Sequence, residues 1–473
     1  MSWLATWVED GDPVRAWALA TLLDAAGVPA RAVDGLDAAR PGLLLVNGSV
    51  PTGDRVLVIP IDDDATLAWA AAVKGGAELE AATAAPRLPS DIVRQTARLL
   101  RDEPHRSPPP ASLDRHRRLR RDASAPELAG LGSVPLVDLL ANALGHWLDR
   151  HGGPARRSRW PGGARAAVGL SHDVDHPDRY GILRAVTINP LRVRPAPRTL
   201  AKQAFSEART RRRDPDPGAF WAFDALIESE GRRGFTSTYH FAATPFHGPT
   251  GSTYDVAYDV TESRFKPVFK RLRETGNPIA LHTGYEAYAA PGRIAQERAR
   301  LESAVGAPVV GNRHHYWHLG PDIEATLREH EAAGFAWDAS LAFNEAMGFR
   351  RSTTLPFHPW DSAAARPLRT LQLPTTCMDG NLFYTSSDVD AAMAAISGLL
   401  DVVVAAGGSF VIDWHLQASV PTNHEYRAWA DAYQAVLDLL AARPEVWVAD
   451  LDAIARWWPQ RMAGAAEEPG EHR

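Results

Sequence analysis

Val168-Gly-Leu-Ser-His-Asp-Val-Asp-His176 sets a short apolar run directly against a dense group of ionisable side chains. With Ala167 before it, the apolar part reads as a buried strand. In an extended segment residues two apart point the same way, so Asp173 and Asp175 share one face and His172, Val174 and His176 take the other. Two adjacent carboxylates repel, and a folded protein tolerates them when a cation or a shared proton compensates. A pair of loop aspartates capping the next element is the blander reading. The position and the histidine neighbours disfavour it.

The same rhythm continues downstream. Strand-like runs fall at Ala167–Leu170, Thr236–Ala242, Ile279–His282, Val309–His315, Phe335–Asp338, Thr370–Leu373, Ser409–His415 and Val446–Ala449. Helical apolar spacing fills Phe220–Arg232, Ser263–Thr275, Arg293–Val305, Ile323–Ala333 and Asp388–Ala406. Strands alternating with helices of this length predict right-handed βαβ units and a parallel sheet. Seven or eight of them fit a (β/α)7-8 barrel better than an open sheet. The stretch from Asp178 to Asp216, rich in Arg and Pro, reads as an insertion over one mouth of the barrel.

Ionisable residues gather at the carboxyl ends of the predicted strands, where barrel enzymes build their sites. His282-Thr-Gly-Tyr-Glu286 ends one strand, and Arg313-His-His-Tyr-Trp-His318 ends another. In the second, Arg313 and His315 share a face while His314 and Tyr316 take the other. Trp337-Asp338 and Asp413-Trp-His415 close two more. Imidazoles with carboxylates suit zinc or a similar divalent ion. Asp413 beside His415 would favour the protonated ring that a general acid needs near neutrality. Neither a phosphate-binding glycine loop nor a Gly-x-Ser-x-Gly nucleophile elbow is present. Metal-activated water attacking a carbonyl is the chemistry that best uses these parts.

Composition bounds the remaining classes. The chain has 473 residues, 45% hydrophobic and 23% charged, ordinary values for a globular protein of two or three domains. A single cysteine, Cys377, excludes a disulfide framework and any cysteine-based metal site. A net charge of −6 gives no electrostatic case for nucleic acid. The longest apolar runs, Ala65–Val73 and Ala391–Ala406, predict no transmembrane segment, and the amino terminus lacks signal-peptide features, so a cytoplasmic location is expected.

Four regions follow. Residues 1–86 read as a small α/β N-terminal domain, with a helix over Pro13–Ala30 and strands at Leu43–Val46 and Val56–Ile59. Its Asp62-Asp-Asp64 reads as solvated turn residues. Residues 87–163 are a linker and helical connection; Pro108–Pro110 and the arginines from Arg115 to Arg121 give stiff, solvated linker chemistry rather than a polyanion contact. Residues 164–462 form the barrel, and 463–473 a disordered tail.

The order of these motifs resembles the polysaccharide deacetylase superfamily (carbohydrate esterase family 4, NodB-like), in the bacterial subgroup with an extra N-terminal domain. The resemblance covers about Val168 to Trp458 and implies a distorted (β/α) barrel. It implies that Asp173 is the general base, that Asp175 and His282 are metal ligands, and that Arg313 holds the base. Trp337-Asp338 is similar to the fourth motif, and Trp414-His415 to the last, whose histidine protonates the leaving amine. Two positions depart from the pattern. Glu286 stands where the second motif has another histidine, so the third ligand is Glu286 or His315, with His315 favoured; Asp413 replaces an apolar residue.

The expected function is removal of N-acetyl groups from an amino-sugar glycan or precursor, with a divalent ion, zinc by choice, as cofactor. A carbohydrate or an N-acetylated small molecule would be the substrate. Two alternatives are an inactive glycan-binding or assembly protein on the same fold and a hydrolase of a non-sugar amide. Aromatics near the motifs, among them Tyr316, Trp317, Trp337 and Trp414, could stack on sugar rings or fill the core.

Overall fold

The computed structural model describes residues 3–8, 11–34, 44–47, 56–59, 88, 92–123, 128, 130–178, 219–244, 254–256, 258–383 and 388–463. Asp62–Asp64, Ala65–Val73, nearly all of the Asp178–Asp216 insertion and residues 464–473 lie outside them.

The chain begins with a four-stranded parallel sheet, β1 (Leu4–Val8), β2 (Ala30–Ala32), β3 (Leu44–Asn47) and β4 (Val56–Ile59), in the order β2-β1-β3-β4. Helix α1 (Pro13–Ala25) links β1 to β2. It starts where Asp12 accepts from the Val14 and Arg15 amides and Pro13 presets the first turn. The expected helix ends five residues early, because Gly27 turns left-handed (φ +72°). β1 and β2 are additional to the strands expected there. Helices α2 (Ile92–Leu100) and α3 (Leu136–Arg150) follow, separated by turns and 3-10 segments.

The larger sheet has nine strands. They are β5 (Ala166–Val174), β6 (Thr238–Ala242), β7 (Ile279–Thr283), β8 (Gly311–His314), β9 (Trp337–Asp338), β12 (Leu371–Gln372), β13 (Thr375–Met378), β14 (Ser409–Asp413) and β15 (Val446–Asp450). A hairpin, β10 (Trp360–Asp361) and β11 (Arg366–Pro367), stands apart. The order is β12-β9-β8-β7-β6-β5-β14-β13, every pair is parallel, and β15 also pairs with β5. Helices α4 (Phe223–Gly231), α5 (Phe265–Glu274), α6 (Arg293–Val305), α7 (Ile323–Ala332), α8 (Asp379–Phe383), α9 (Val389–Ala406), α10 (Arg427–Ala441) and α11 (Leu451–Ala463) connect or follow these strands.

This is a distorted (β/α) barrel, and two local features produce the distortion. β5 is shared: its first half pairs with β15 and its second half with β6, on the edge opposite β14. The ends of the sheet, β12 and β13, are joined by Leu373-Pro374 alone. Pro374 has no N–H to give a ladder, so the covalent chain rather than hydrogen bonding completes the circuit there.

All nine residues of β5 are buried, as expected for a strand covered on both sides. Inward-facing Ala167, Trp337 and Val411 share one core with Leu22 of α1, Leu140 of α3, Trp160, and Leu451 and Ile454 of α11. Helix α9 is long and apolar enough by composition to cross a membrane (mean hydropathy 1.9), yet Ile396, Leu399, Leu400 and Val403 lie in the barrel core.

Candidate metal and catalytic site

Strand parity holds as far as the ladder extends. His172 points outward, with Nε2 2.7 Å from Glu230 Oε1 and Nδ1 2.7 Å from the Trp414 carbonyl. His314 also points outward, its Nε2 2.8 Å from His330 Nε2. Asp173, Arg313 and Asp413 turn inward together: Arg313 Nη1 donates to Asp173 Oδ1 at 2.9 Å and lies 3.1 Å from Asp413 Oδ1. Beyond the strand ends parity lapses. His176 and Tyr316, expected on the outer face, line the inner cavity.

The two carboxylates flanking Arg313 have opposite fates. Burial works to raise the Asp173 pKa, but the charges of His282, Arg313 and His240 outweigh it and hold the carboxyl below its usual range. Burial and the Asp173 charge push Asp413 well above the usual range, against the pull of Arg313 and His415. Two buried acids on one guanidinium are thus driven apart, Asp173 toward a low pKa and Asp413 toward a high one.

Asp175, His282 and His315 each aim one atom at a common point, all within 4.8 Å of one another. His282 Nε2 lies 3.2 Å from Asp175 Oδ1, and His315 Nε2 lies 3.3 Å from Oδ2. His282 Nδ1 is 3.0 Å from the Arg313 carbonyl, which engages that nitrogen and turns Nε2 toward Asp175. Asp175 Oδ1 and His282 Nε2 are buried without a hydrogen-bond partner. Orphaned buried acceptors of this kind fit a divalent cation. Burial works to lower the His315 pKa, but Asp175 and Asp255 overcome it and push it up to about 9, so a cation binding there would displace a proton. Glu286, the alternative third ligand, is exposed and outside this group.

His415 lies opposite, with Nε2 3.4 Å from Asp175 Oδ2. Its ring is held by Asp379, not by Asp413 as expected: Nδ1 is 2.8 Å from Asp379 Oδ1, and Asp379 Oδ2 accepts the His415 amide at 2.8 Å. Burial opposes the charged ring, but Asp379 and Asp175 outweigh it and hold the pKa well above its ordinary value. Asp338 accepts from Asn312 Nδ2 at 2.8 Å and from Ser340 Oγ at 2.6 Å, beside rather than within the hydrogen bonds of Arg313.

Two site residues escaped the sequence reading. Asp379 starts α8 immediately after β13, a strand that was not expected, so its strand-end position went unseen. His240 lies on β6 with Nδ1 3.3 Å from Asp173 Oδ1. A histidine inside apolar Tyr-His-Phe-Ala, on the strand beside β5, was the available signal. The cavity measures about 310 Å³ and is walled by Tyr316, Trp317, Tyr426 and Trp429.

No family model matches the sequence, and no curated protein does. The chain is similar in fold to polysaccharide deacetylases. A candidate polysaccharide deacetylase from Mycobacterium smegmatis is 18% identical with a TM-score of 0.44, over 68% of this chain and 98% of its own. The allantoinase Puue is 16% identical with a TM-score of 0.43, over 66% of this chain and 95% of its own. A second candidate polysaccharide deacetylase, from Pseudomonas aeruginosa PAO1, is 16% identical with a TM-score of 0.42, over 66% and 97%.

Proposed function

We propose that this protein is a metal-dependent amidohydrolase that removes N-acetyl groups from an amino-sugar glycan or glycan precursor. The observation that carries the reading is the convergence of Asp175, His282 and His315, with an ionised Asp173 on one side and a braced His415 on the other. Two imidazoles and a carboxylate suit zinc, which when bound supplies Lewis acidity and a water of lowered pKa. Asp173, kept charged by Arg313, accepts a proton from the attacking water. His415, kept protonated by Asp379, returns one to the departing amine. The motif order that resembles the deacetylase superfamily supports the acetamido substrate. A cavity of about 310 Å³ with aromatic walls suits one pyranose ring and its substituent.

The test measures bound metal in purified protein and acetate release from N-acetylglucosamine oligomers, with simple ureides in parallel. One divalent ion per chain, lost in Asp175→Ala together with acetate release, is the expected result. Stoichiometric metal with turnover of ureides alone would redirect the substrate class. Absence of both metal and turnover, with oligomers still bound, would leave a glycan-binding protein instead.

A further inference from the structure

A second cavity, of about 250 Å³, adjoins the first, and Trp317 lines both. Its walls carry His105, Arg106, Arg117 and Arg118 from the segment before the barrel, with His318 and Arg350 from barrel loops. No carboxylate lines it among the described residues. Three of its guanidiniums are tied from outside: Arg350 to Asp102 at 2.7 Å, Arg118 to Asp114 at 2.6 Å, and exposed Arg106 to Glu324 at 3.3 Å. Arg117 stands at the tip of a hairpin closed by the Leu113–Leu119 bridge and by its own amide on the Asp114 carbonyl at 2.9 Å. Among the described residues no carboxylate pairs with its side chain.

The hairpin is also built into the first cavity. Arg118 donates through Nη1 to the Tyr316 carbonyl and lies 5.7 Å from that ring. His116 Nδ1 is 2.7 Å from the Tyr285 hydroxyl. Between these contacts Tyr316 and Trp317 adopt consecutive left-handed conformations (φ +59° and +50°), which costs roughly 1 kcal/mol or more each for residues with a Cβ. That turn places Trp317 as the wall between the two spaces.

We propose that the second cavity is an oxyanion subsite, receiving a phosphate or carboxylate group carried by the same substrate whose acetamido group enters the first cavity. Guanidinium forks match either oxyanion, and an uncompensated arginine at the rim supplies the net attraction. The anion site stands on its own geometry; only the link to an acetamido sugar rests on the function proposed above.

Calorimetric titration with inorganic phosphate, and separately with glucuronate, tests it on the full chain. The forms compared are the wild type, Asp175→Asn, Arg117→Glu and the pair Arg106→Gln/Arg117→Gln. Saturable binding should persist in Asp175→Asn and weaken about tenfold in the arginine variants, the loss of one charge-assisted contact. Whichever oxyanion binds more tightly names the substituent. Binding lost in Asp175→Asn but unchanged in the arginine variants would place the anion at the metal ligands and overturn the subsite, as would no binding of either probe. In kinetics, the arginine pair should raise KM for a phosphorylated acetamido sugar and leave kcat, and the neutral sugar, unaffected. If neither sugar is hydrolysed while the binding pattern holds, the proposed function fails and the subsite stands.

Discussion

Asp379 holds His415 by two points at once, one carboxylate oxygen on the ring and the other on the same residue's amide. Nε2 is left facing Asp175; the ring cannot swing without breaking its bond to Oδ1, and the amide bond to Oδ2 fixes the carboxylate that makes it. This carboxylate is also what keeps the imidazole charged against its burial. A general acid works only while protonated, so its pKa sets the alkaline limb of the pH profile. Asp379→Asn keeps the shape and removes the charge; the His415 pKa falls, and the alkaline limb should move to lower pH. Activity should drop about 100-fold, the usual value of a positioned acid. A pH–rate profile of the variant decides it: an unmoved alkaline limb would assign that limb to another group. Sequence reasoning found His415 but paired it with Asp413, because two residues apart on a strand implies one face. β14 ends at Asp413, so Asp413 obeys strand parity and meets Arg313, while His415 lies beyond it and does not. His176 and Tyr316 were misplaced for the same reason. Parity is a property of the ladder and expires with its last hydrogen bond.

Among elements, the strands that carry an apolar run of their own were legible, from β5 to β9 and again at β12, β14 and β15. β13 was not. Thr375-Thr-Cys-Met378 follows β12 after Leu373-Pro374 with no helix between, so the alternation that announces a βα unit is missing. The hairpin at 113–119 was hidden by composition. Its arginines read as solvated linker, yet in the fold Arg118 meets Asp114 and the Tyr316 carbonyl. The glycine of β8 carries a tighter constraint than its sequence suggests. A Cβ on Gly311 would lie 1.9 Å from Trp337 Cζ2 and 2.3 Å from Cε2. The indole has little room to retreat, since its Nε1 donates to Asp452 Oδ1 at 2.6 Å and its ring meets His240 edge-on at 5.9 Å. Gly311→Ala should therefore cost about 1–3 kcal/mol in denaturant unfolding. His240 lies against Asp173, so activity should fall further than the stability loss alone explains. An unfolding midpoint equal to wild type would mean that the sheet opens there to admit a methyl group.

At the scale of the molecule, the barrel and the residues before it are parts of one packed object. Leu22 and Leu140 share a core with the barrel's Val411 and Ile454. The polar counterpart is a clamp at the end of α2: Arg350 reaches both Asp102 oxygens at 2.7 Å, and Arg351 Nη1 donates to the Leu100 carbonyl at 2.6 Å. Burial works to raise the Asp102 pKa, but Arg350, His105 and Arg351 outweigh it and hold it far below its unfolded value. A depressed carboxylate stabilises the fold at every pH above its unfolded pKa of about 3.9 and loses that contribution as pH falls toward the folded value. Arg350→Gln leaves the buried carboxylate short of its main partner, a loss of about 3 kcal/mol for a pair of this kind. The difference between wild type and variant should be full at pH 7 and shrink steadily below about pH 4, because the wild type alone forfeits the ion pair there. Unfolding midpoints for both proteins across pH 3 to 7 measure it. A gap that stays constant over that range would trace the loss to the packing of the Arg350 stem rather than to its charge, and the clamp would then be steric.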